Sequence, residues 1–217
     1  PEPVVGDAPI AGEGSLSLRD VAVALKNATG DDLVTFAALA RGWPFDLWPM
    51  KHPLDYLGKD GGGGIGSGPG LVIGAALANH QSPRLTVGIL GDGDALMSIN
   101  ALWTAAKYEI PALMVIANNR SYFNDEIHQQ KVAEKRDRNV ENRWVGQRID
   151  DPTPDIAQLA KGLGVEAIGP VETLDDLVAA MQQAVAAVRA RKPFLVDVVI
   201  ESNIGREAEV ARQEKRK

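Results

Sequence analysis

The sequence has no cysteine and few aromatic residues, and several classes of protein can be set aside on what it lacks. None of its 217 residues is Cys, which excludes disulfide frameworks and cysteine-ligated metal sites. The absence of cysteine fits a reducing compartment, and we predict a cytoplasmic location. No apolar run approaches the roughly 20 residues of a membrane span, and no signal peptide is visible. A net charge of −6 argues against nucleic acid or an anionic membrane as a partner.

Ala, Val, Leu and Gly dominate the chain instead, as is typical of a compact α/β protein. Apolar strand-like runs alternate with helix-like stretches from residue 85 onward. The predicted strands and helices are, in order, "LTVGIL", "DALMSINALWTAAKYE", "ALMVIA", "TPDIAQLAKGLG", "VEAIG", "TLDDLVAAMQQAVAAVRAR" and "FLVDVVI". Near-continuous Val, Ile and Leu strands between helices predict a three-layer α/β/α fold, a doubly wound parallel sheet covered on both faces.

Capping residues and composition set the predicted boundaries. Ser17 with Asp20 forms a capping box for a first helix that ends at Gly30. Further helix ends are predicted at Pro69, Thr153, Gly164 and Thr173. Residues 1–14 read as a linker or tail, 15–201 as the domain and 202–217 as a charged tail. The charged residues 128–151 are predicted to be a solvated surface segment.

Two polar turns follow two of the predicted strands directly. Asp92, in "GDG", comes after "LTVGIL", and Asn119, in "NN", comes after "ALMVIA". Ligands of doubly wound sheets bind beyond the carboxyl ends of the strands, so neighbouring strands would bring both side chains into one crevice. Carboxylate and amide oxygens suit Mg²⁺, which completes its coordination with phosphate oxygens and water. Taken singly, each of the two motifs is also compatible with an ordinary turn.

The residues around Asp92 suit a phosphate as well. Gly91 and Gly93 permit a tight turn and a close approach of backbone to ligand. The N–H groups of Gly93, Asp94 and Ala95 open the next predicted helix, where an anion is favoured. The stretch therefore predicts a site for Mg²⁺ and a diphosphate.

"GDG", 24 residues and then "NN" resembles the thiamine diphosphate motif of the acetolactate synthase, benzoylformate decarboxylase and pyruvate decarboxylase family. "GGGGIGSGPGLVIGAALA", residues 61–78, is similar to the segment that precedes this motif. The stretch from Asp155 to Glu201 resembles the end of the family's diphosphate-binding domain. The resemblance covers residues 15–201.

The resemblance implies roles for individual residues. Asp92 and Asn119 would ligate Mg²⁺ through their side chains, and Ser121 through its main-chain carbonyl. Ile65 would be the bulky wedge that keeps the cofactor V-shaped, and its alternative is an ordinary core isoleucine. The Gly63 carbonyl would accept a hydrogen bond from the cofactor's amino group.

The residues after Asn119 should line the substrate pocket, by analogy with the family helix at that point. Asn124, Asp125 and His128 are the candidates, and an ordinary surface residue is the alternative for His128. The implied activity is making or breaking a C–C bond next to a carbonyl, in 2-oxo acids or 2-hydroxy-acyl compounds.

Two stretches depart from the family pattern. Asp94 stands where the family often has a small Ser or Ala. "FAALARGW", residues 36–43, replaces a polar loop, so Leu39 and Ala40 offer only backbone there, although Arg41 could contact the diphosphate. These departures support an alternative reading, a non-catalytic cofactor-binding subunit with a regulatory or structural role.

A dehydrogenase reading is disfavoured because "GIGSGPG" has its glycines at the wrong offsets for a dinucleotide fingerprint.

The family's activating glutamate lies on a separate pyrimidine-binding domain, and 217 residues are too few for both domains. With Pro1 at its start, the chain is expected to be a separate subunit or a fragment that works in a dimer or tetramer. The apolar residues of segment 41–50 predict either such an interface or a satellite core under a loop.

Overall fold

Helices and strands alternate through the residues that the structure, a computed structural model, describes, which are 15–58 and 64–201. The strands are β1 (Val34–Ala38), β2 (Leu85–Gly91), β3 (Ala112–Asn118), β4 (Glu166–Val171) and β5 (Phe194–Val199). The helices are α1 (Leu18–Thr29), α2 (Gly68–Ala78), α3 (Asp92–Ser98), α4 (Ala101–Lys107), α5 (Phe123–Lys135), α6 (Ile156–Gly162) and α7 (Leu174–Arg189). The predictions for residues 1–14, 202–217 and Gly63 lie outside the described residues.

The strands form one parallel sheet, as the sequence predicts, and their order is β1-β2-β3-β5-β4. Successive side chains of each strand point to opposite faces, so alternating residues feed two cores. In β3, Val115 packs with one core, while Met114 and Ile116 pack with the other.

Helices cover both faces and complete the three-layer α/β/α arrangement. Residues of α1 and α7 share a core with one face of the sheet, whereas α2, α4 and α6 pack on the opposite face. None of the helices in the described part is long and apolar enough to cross a membrane.

Most helix ends follow the sequence prediction. Ser17 and Asp20 form the predicted capping box of α1, which ends at Gly30. Thr173 caps α7. The predicted cap at Thr153 is wrong, because Thr153 Oγ1 donates to the Asp150 carbonyl, and Asp155 instead accepts from the first turn of α6.

One other element prediction needs correction, and one is confirmed. The helix expected after Asp92 is broken into α3 and α4 at Ile99 and Asn100, where backbone hydrogen bonds span three residues, not four. The segment 128–151 is solvated surface, as predicted: none of its side chains is buried, and its first part continues α5 as far as Lys135.

The apolar segment 41–50 lies mainly against the core. Trp43 is 4% exposed, and its ring lies 5.2 Å from that of Phe36. Trp48 packs edge-on against the same Phe36 ring at 5.0 Å, and only Phe45 is largely exposed, at 51%. The segment is therefore a satellite core, and its tryptophans give little support to an interface there.

Candidate functional site

The register between β2 and β3 brings the two polar turns together. Gly91 pairs with Ala117 at the ends of these neighbouring strands. Asp92 follows Gly91 directly, and the turn that contains Asn119 follows β3. Both turns therefore leave the same edge of the sheet side by side, as the sequence predicts.

The Ser121 backbone N–H connects the predicted metal ligands. It donates to Asp92 Oδ2 at 3.0 Å and to Asn119 Oδ1 at 3.1 Å. A carboxylate and an amide oxygen thus lie within hydrogen-bonding distance of one nitrogen, and Asp92 is only 2% exposed. The structure brings Asp92, Asn119 and Ser121 into one cluster at the edge of the sheet.

Burial makes the Asp92 carboxyl a weaker acid than an exposed aspartate. The pKa of Asp92 is raised from 3.8 to about 6, mainly by burial and to a smaller extent by the nearby Asp197 charge. Hydrogen bonds from the backbone N–H groups of Asp92, Gly93 and Ser121 oppose this shift in part. A cation beside this carboxylate would therefore be favoured.

A second set of buried polar residues supports the turn, and sequence reasoning missed it. Asn118 Nδ2 donates to Asp197 Oδ1 at 3.0 Å, while Asn118 Oδ1 accepts the Arg120 N–H at 3.1 Å. On the other side of the turn, the Ser121 hydroxyl donates to buried Glu126. Asp197 carries a sequence signal, since it is the lone acid in the apolar strand "FLVDVVI", but Glu126 has none among the charged residues of α5.

Segment 147–149 pairs with the turn and fixes its outer side. The Tyr122 N–H donates to the Gln147 carbonyl at 2.9 Å, and the Ile149 N–H donates to the Arg120 carbonyl at 2.8 Å. This bridge uses the groups on either side of Ser121 and leaves its carbonyl out of the pairing. The Ser121 carbonyl is the group predicted to ligate the metal.

The start of α3 packs tightly against the same turn. Gly93 has no room for a side chain, because a Cβ would lie 2.2 Å from Tyr122 Cε1. A Cβ on Gly91 would meet nothing within 4 Å. Ala95, in α3, is buried in the core on that face of the sheet. The predicted cofactor contacts of these residues stay predictions.

Asp94 is engaged by the protein's own backbone. Its Oδ1 accepts the N–H groups of Gly66 at 2.6 Å and Gly68 at 3.4 Å. Ile65, next to Gly66, is 49% exposed and is not a core residue of this domain. Its role as the wedge stays a prediction.

The predicted pocket residues all lie in the first half of α5. Asn124 accepts a hydrogen bond from Arg41, which links α5 to the loop after β1. Asn124 and His128 are exposed, and Asp125 is half-buried. Leu39 and Ala40 pack against the core.

The donor set fits a hard cation. Within the described ranges no three His, Cys, Asp or Glu side chains are grouped as a metal site. The oxygens of Asp92, Asn119 and Ser121 are nevertheless the ligand type that Mg²⁺ prefers. One carboxylate leaves a positive charge uncompensated on a divalent ion, and a diphosphate could neutralise it.

Comparison with protein families identifies the domain. The model of the thiamine pyrophosphate enzyme, C-terminal TPP binding domain, matches residues 38–198. The chain belongs to this family. The match begins at the last residue of β1 and ends within β5, so it includes both polar turns.

Curated relatives agree with this thiamine diphosphate-binding domain. The chain is 35% identical over 157 residues to benzoylformate decarboxylase of Pseudomonas aeruginosa, covering 69% of the chain and 25% of the relative. It is 28% identical over 191 residues to a probable acetolactate synthase large subunit of Methanocaldococcus jannaschii, covering 85% of the chain and 28% of the relative.

A solved structure shows the same fold. The thiamine diphosphate-dependent 4-hydroxybenzoylformate decarboxylase of Rhodococcus jostii RHA1 matches with a TM-score of 0.70 and 28% identity. The alignment covers 88% of this chain and 34% of that structure. The chain thus spans about a quarter to a third of the length of these relatives.

Proposed function

We propose that this domain binds Mg²⁺ and thiamine diphosphate at the edge of the sheet where β2 and β3 end. The observation that carries the proposal is the Ser121 N–H, which donates to both Asp92 and Asn119 and so gathers the predicted ligands. In this proposal Asp92, Asn119 and the Ser121 carbonyl ligate the ion. The backbone of Gly91, Gly93, Asp94 and Ala95 borders the diphosphate.

The proposed reaction makes or breaks a C–C bond next to a carbonyl in a 2-oxo acid or a 2-hydroxy-acyl compound. Bound thiamine diphosphate supplies carbanion chemistry at that carbonyl. The chain's own residues bind and orient the cofactor: Ile65 fills the angle between its rings, and the Gly63 carbonyl accepts its amino group. Asn124, Asp125 and His128 face the substrate in this proposal, with Arg41 keeping Asn124 in place.

Activity is proposed to require a pyrimidine-binding domain or subunit that carries the activating glutamate. The share of its relatives' length that the chain spans supports this requirement. Large apolar side chains exposed on α2, α3 and α4 support it further, since aromatic and Met side chains are enriched at protein–protein interfaces. These side chains are Leu71 (39% exposed), Leu77 (59%), Met97 (57%) and Trp103 (56%).

The alternative of a non-catalytic cofactor-binding subunit loses part of its support. It rested on the departures at Asp94 and at residues 36–43. The Asp94 carboxylate accepts a hydrogen bond from the loop before α2, which gives this acid a structural role other than contact with the diphosphate. We therefore retain the catalytic proposal.

Calorimetry on this chain assembled with its pyrimidine-binding domain tests the proposal. Thiamine diphosphate is titrated with Mg²⁺ and again with EDTA, and the wild type should bind only with the metal. Asp92→Ala should weaken binding by about 100-fold or more, because it removes the only carboxylate among the proposed ligands. The control is Asp175→Ala, on the exposed first turn of α7. Unchanged affinity in Asp92→Ala would rule out the metal site.

A further inference from the structure

Three residues on one face of α3 contact the loop that leads into α2. Asp94, Met97 and Ser98 are spaced i, i+3 and i+4, which places them on the same side of the helix. We name this set the α3 anchor. It meets the chain at Gly66 and Gly68, just after Ile65.

Both backbone groups of Gly66 are engaged by the α3 anchor. Asp94 Oδ1 accepts the Gly66 N–H at 2.6 Å, and the Ser98 hydroxyl donates to the Gly66 carbonyl at 2.6 Å. Asp94 also accepts the Gly68 N–H at 3.4 Å, at the start of α2. Hydrogen bonds to a carboxylate are stronger than those between neutral groups. Asp94 therefore contributes more than Ser98 to holding the loop against α3.

The contact is too close for other side chains. Gly66 has a φ of +97°, and a Cβ there would lie 3.0 Å from Met97 Cβ. A Cβ on Gly68 would lie 2.0 Å from Asp94 Oδ2. The loop can therefore approach α3 in this way only with glycine at both positions.

Ile65 directly precedes the glycine that the α3 anchor holds. Its side chain is 49% exposed, so packing within the domain restrains it little, whereas its neighbour Gly66 is bonded on both sides. We propose that Asp94, assisted by Ser98, is a positioning residue that keeps Ile65 where it supports the cofactor. This inference rests on the proposed function, and it gives a reason for an acid where the family often has Ser or Ala.

Backbone amide exchange of the chain without cofactor tests the anchor itself. In Asp94→Ala, the Gly66 and Gly68 amides should exchange roughly 10-fold faster, the ratio expected for loss of a charge-assisted hydrogen bond. Asp94→Asn keeps an acceptor oxygen and should stay closer to wild type. The amides of β2 serve as an internal reference, because equal acceleration there would indicate global loosening and count against the inference.

Steady-state kinetics of the assembled enzyme test whether Asp94 acts through Ile65. The measurements use saturating Mg²⁺ and thiamine diphosphate, with benzoylformate and pyruvate as probe substrates. Asp94→Ala should lower kcat about 10-fold while cofactor affinity changes less than about 3-fold, and Asp94→Asn should restore most of the rate. If Asp94 acts through Ile65, adding Asp94→Ala to Ile65→Ala should lower kcat no further. A residue that merely stabilised α2 would give additive losses.

The outcomes separate the two proposals. If the wild type does not bind thiamine diphosphate with Mg²⁺, the proposed function fails, and the exchange experiment still judges the anchor. If the wild type binds the cofactor and turns over, two results would overturn the inference: unchanged exchange at Gly66 in Asp94→Ala, or additive losses in the double variant.

Discussion

The Ser121 N–H donates to Asp92 Oδ2 over 3.0 Å, joining residues 29 positions apart at the ends of two neighbouring strands. Asn119 Oδ1 accepts the same N–H. The bond to Asp92 joins the turn after β3 to the start of α3, and it needs no bound ion or cofactor. A site whose ligands are already oriented loses less entropy when it binds an ion. The contacts around this pair are therefore the ones whose disruption should matter most.

Gly93 should be intolerant of a side chain. In Gly93→Ala the new Cβ would lie 2.2 Å from Tyr122 Cε1, so the ring must move from its place beside the turn. We expect a loss of about 1–3 kcal/mol in the free energy of unfolding, measured by urea denaturation. The matched control is Gly91→Ala, where a Cβ would meet nothing within 4 Å, and it should cost less than about 1 kcal/mol. Equal losses in the two variants would contradict the close packing of Tyr122.

Gly68 should behave oppositely to the other glycines of α2. In Gly68→Ala, a Cβ would lie 2.0 Å from Asp94 Oδ2 and 2.7 Å from Leu90 Cδ2, and we expect a loss of about 1–3 kcal/mol. Gly70 and Gly74 have open space at the Cβ position, so alanine there should stabilise the helix by about 0.5–1 kcal/mol. Thermal or urea denaturation of the three variants gives the comparison. A shared sign for all three would refute the tight contact between α2 and Asp94.

Much of the sheet follows from local patterns. The parallel strands, the capping box at Ser17 and the meeting of Asp92 with Asn119 were all predictable, because apolar runs and turn residues are local signals. The break at Ile99 and Asn100 was not, since the helical pattern continues through it. Ser98, just before the break, donates to the Gly66 carbonyl, a contact between residues 32 positions apart.

The supporting residues of the site were harder to predict for the same reason. Glu126 contacts the Ser121 hydroxyl because α5 follows the turn closely, and its sequence context is that of a surface helix. Asp197 lies 79 positions from the Asn118 that donates to it. Only the order of the strands, with β5 beside β3, makes that pair adjacent.

Ile65→Ala should separate catalysis from binding. If Ile65 supports the bent cofactor, its loss leaves the metal and diphosphate contacts in place but misplaces the reacting atoms, which can lower kcat about 100-fold. Cofactor affinity by calorimetry should change less than about 3-fold. The control, Leu159→Ala, removes a side chain that is 44% exposed on α6, outside the proposed site, and should leave both quantities unchanged. Wild-type turnover in Ile65→Ala would make Ile65 an ordinary surface residue.

The contribution of Asp92 and Asp197 to the stability of the chain without Mg²⁺ and cofactor should fall as the pH rises from about 4 to about 7. Burial raises the pKa values of both Asp92 and Asp197 from 3.8 to about 6, so the folded state binds protons more tightly than the unfolded state in this window. Stability decreases with pH wherever the folded state holds more protons, and a shift of this size corresponds to about 3 kcal/mol for one carboxyl. This loss of stability is absent below the pKa that each carboxyl has in the unfolded state, and it is complete above the pKa that it has in the folded state.

Asp197→Asn isolates this contribution, because it removes one buried carboxylate and keeps an acceptor for Asn118. The variant should gain stability relative to wild type progressively as the pH rises through 6, in urea denaturations at pH 4.5, 5.5, 6.5 and 7.5. The matched control is Asp46→Asn, an exposed carboxyl whose pKa is lowered by its hydrogen bond to Arg19, so its small effect should have the opposite sign. A difference between Asp197→Asn and wild type that stays flat across the series would mean that Asp197 is not a buried carboxylate of raised pKa.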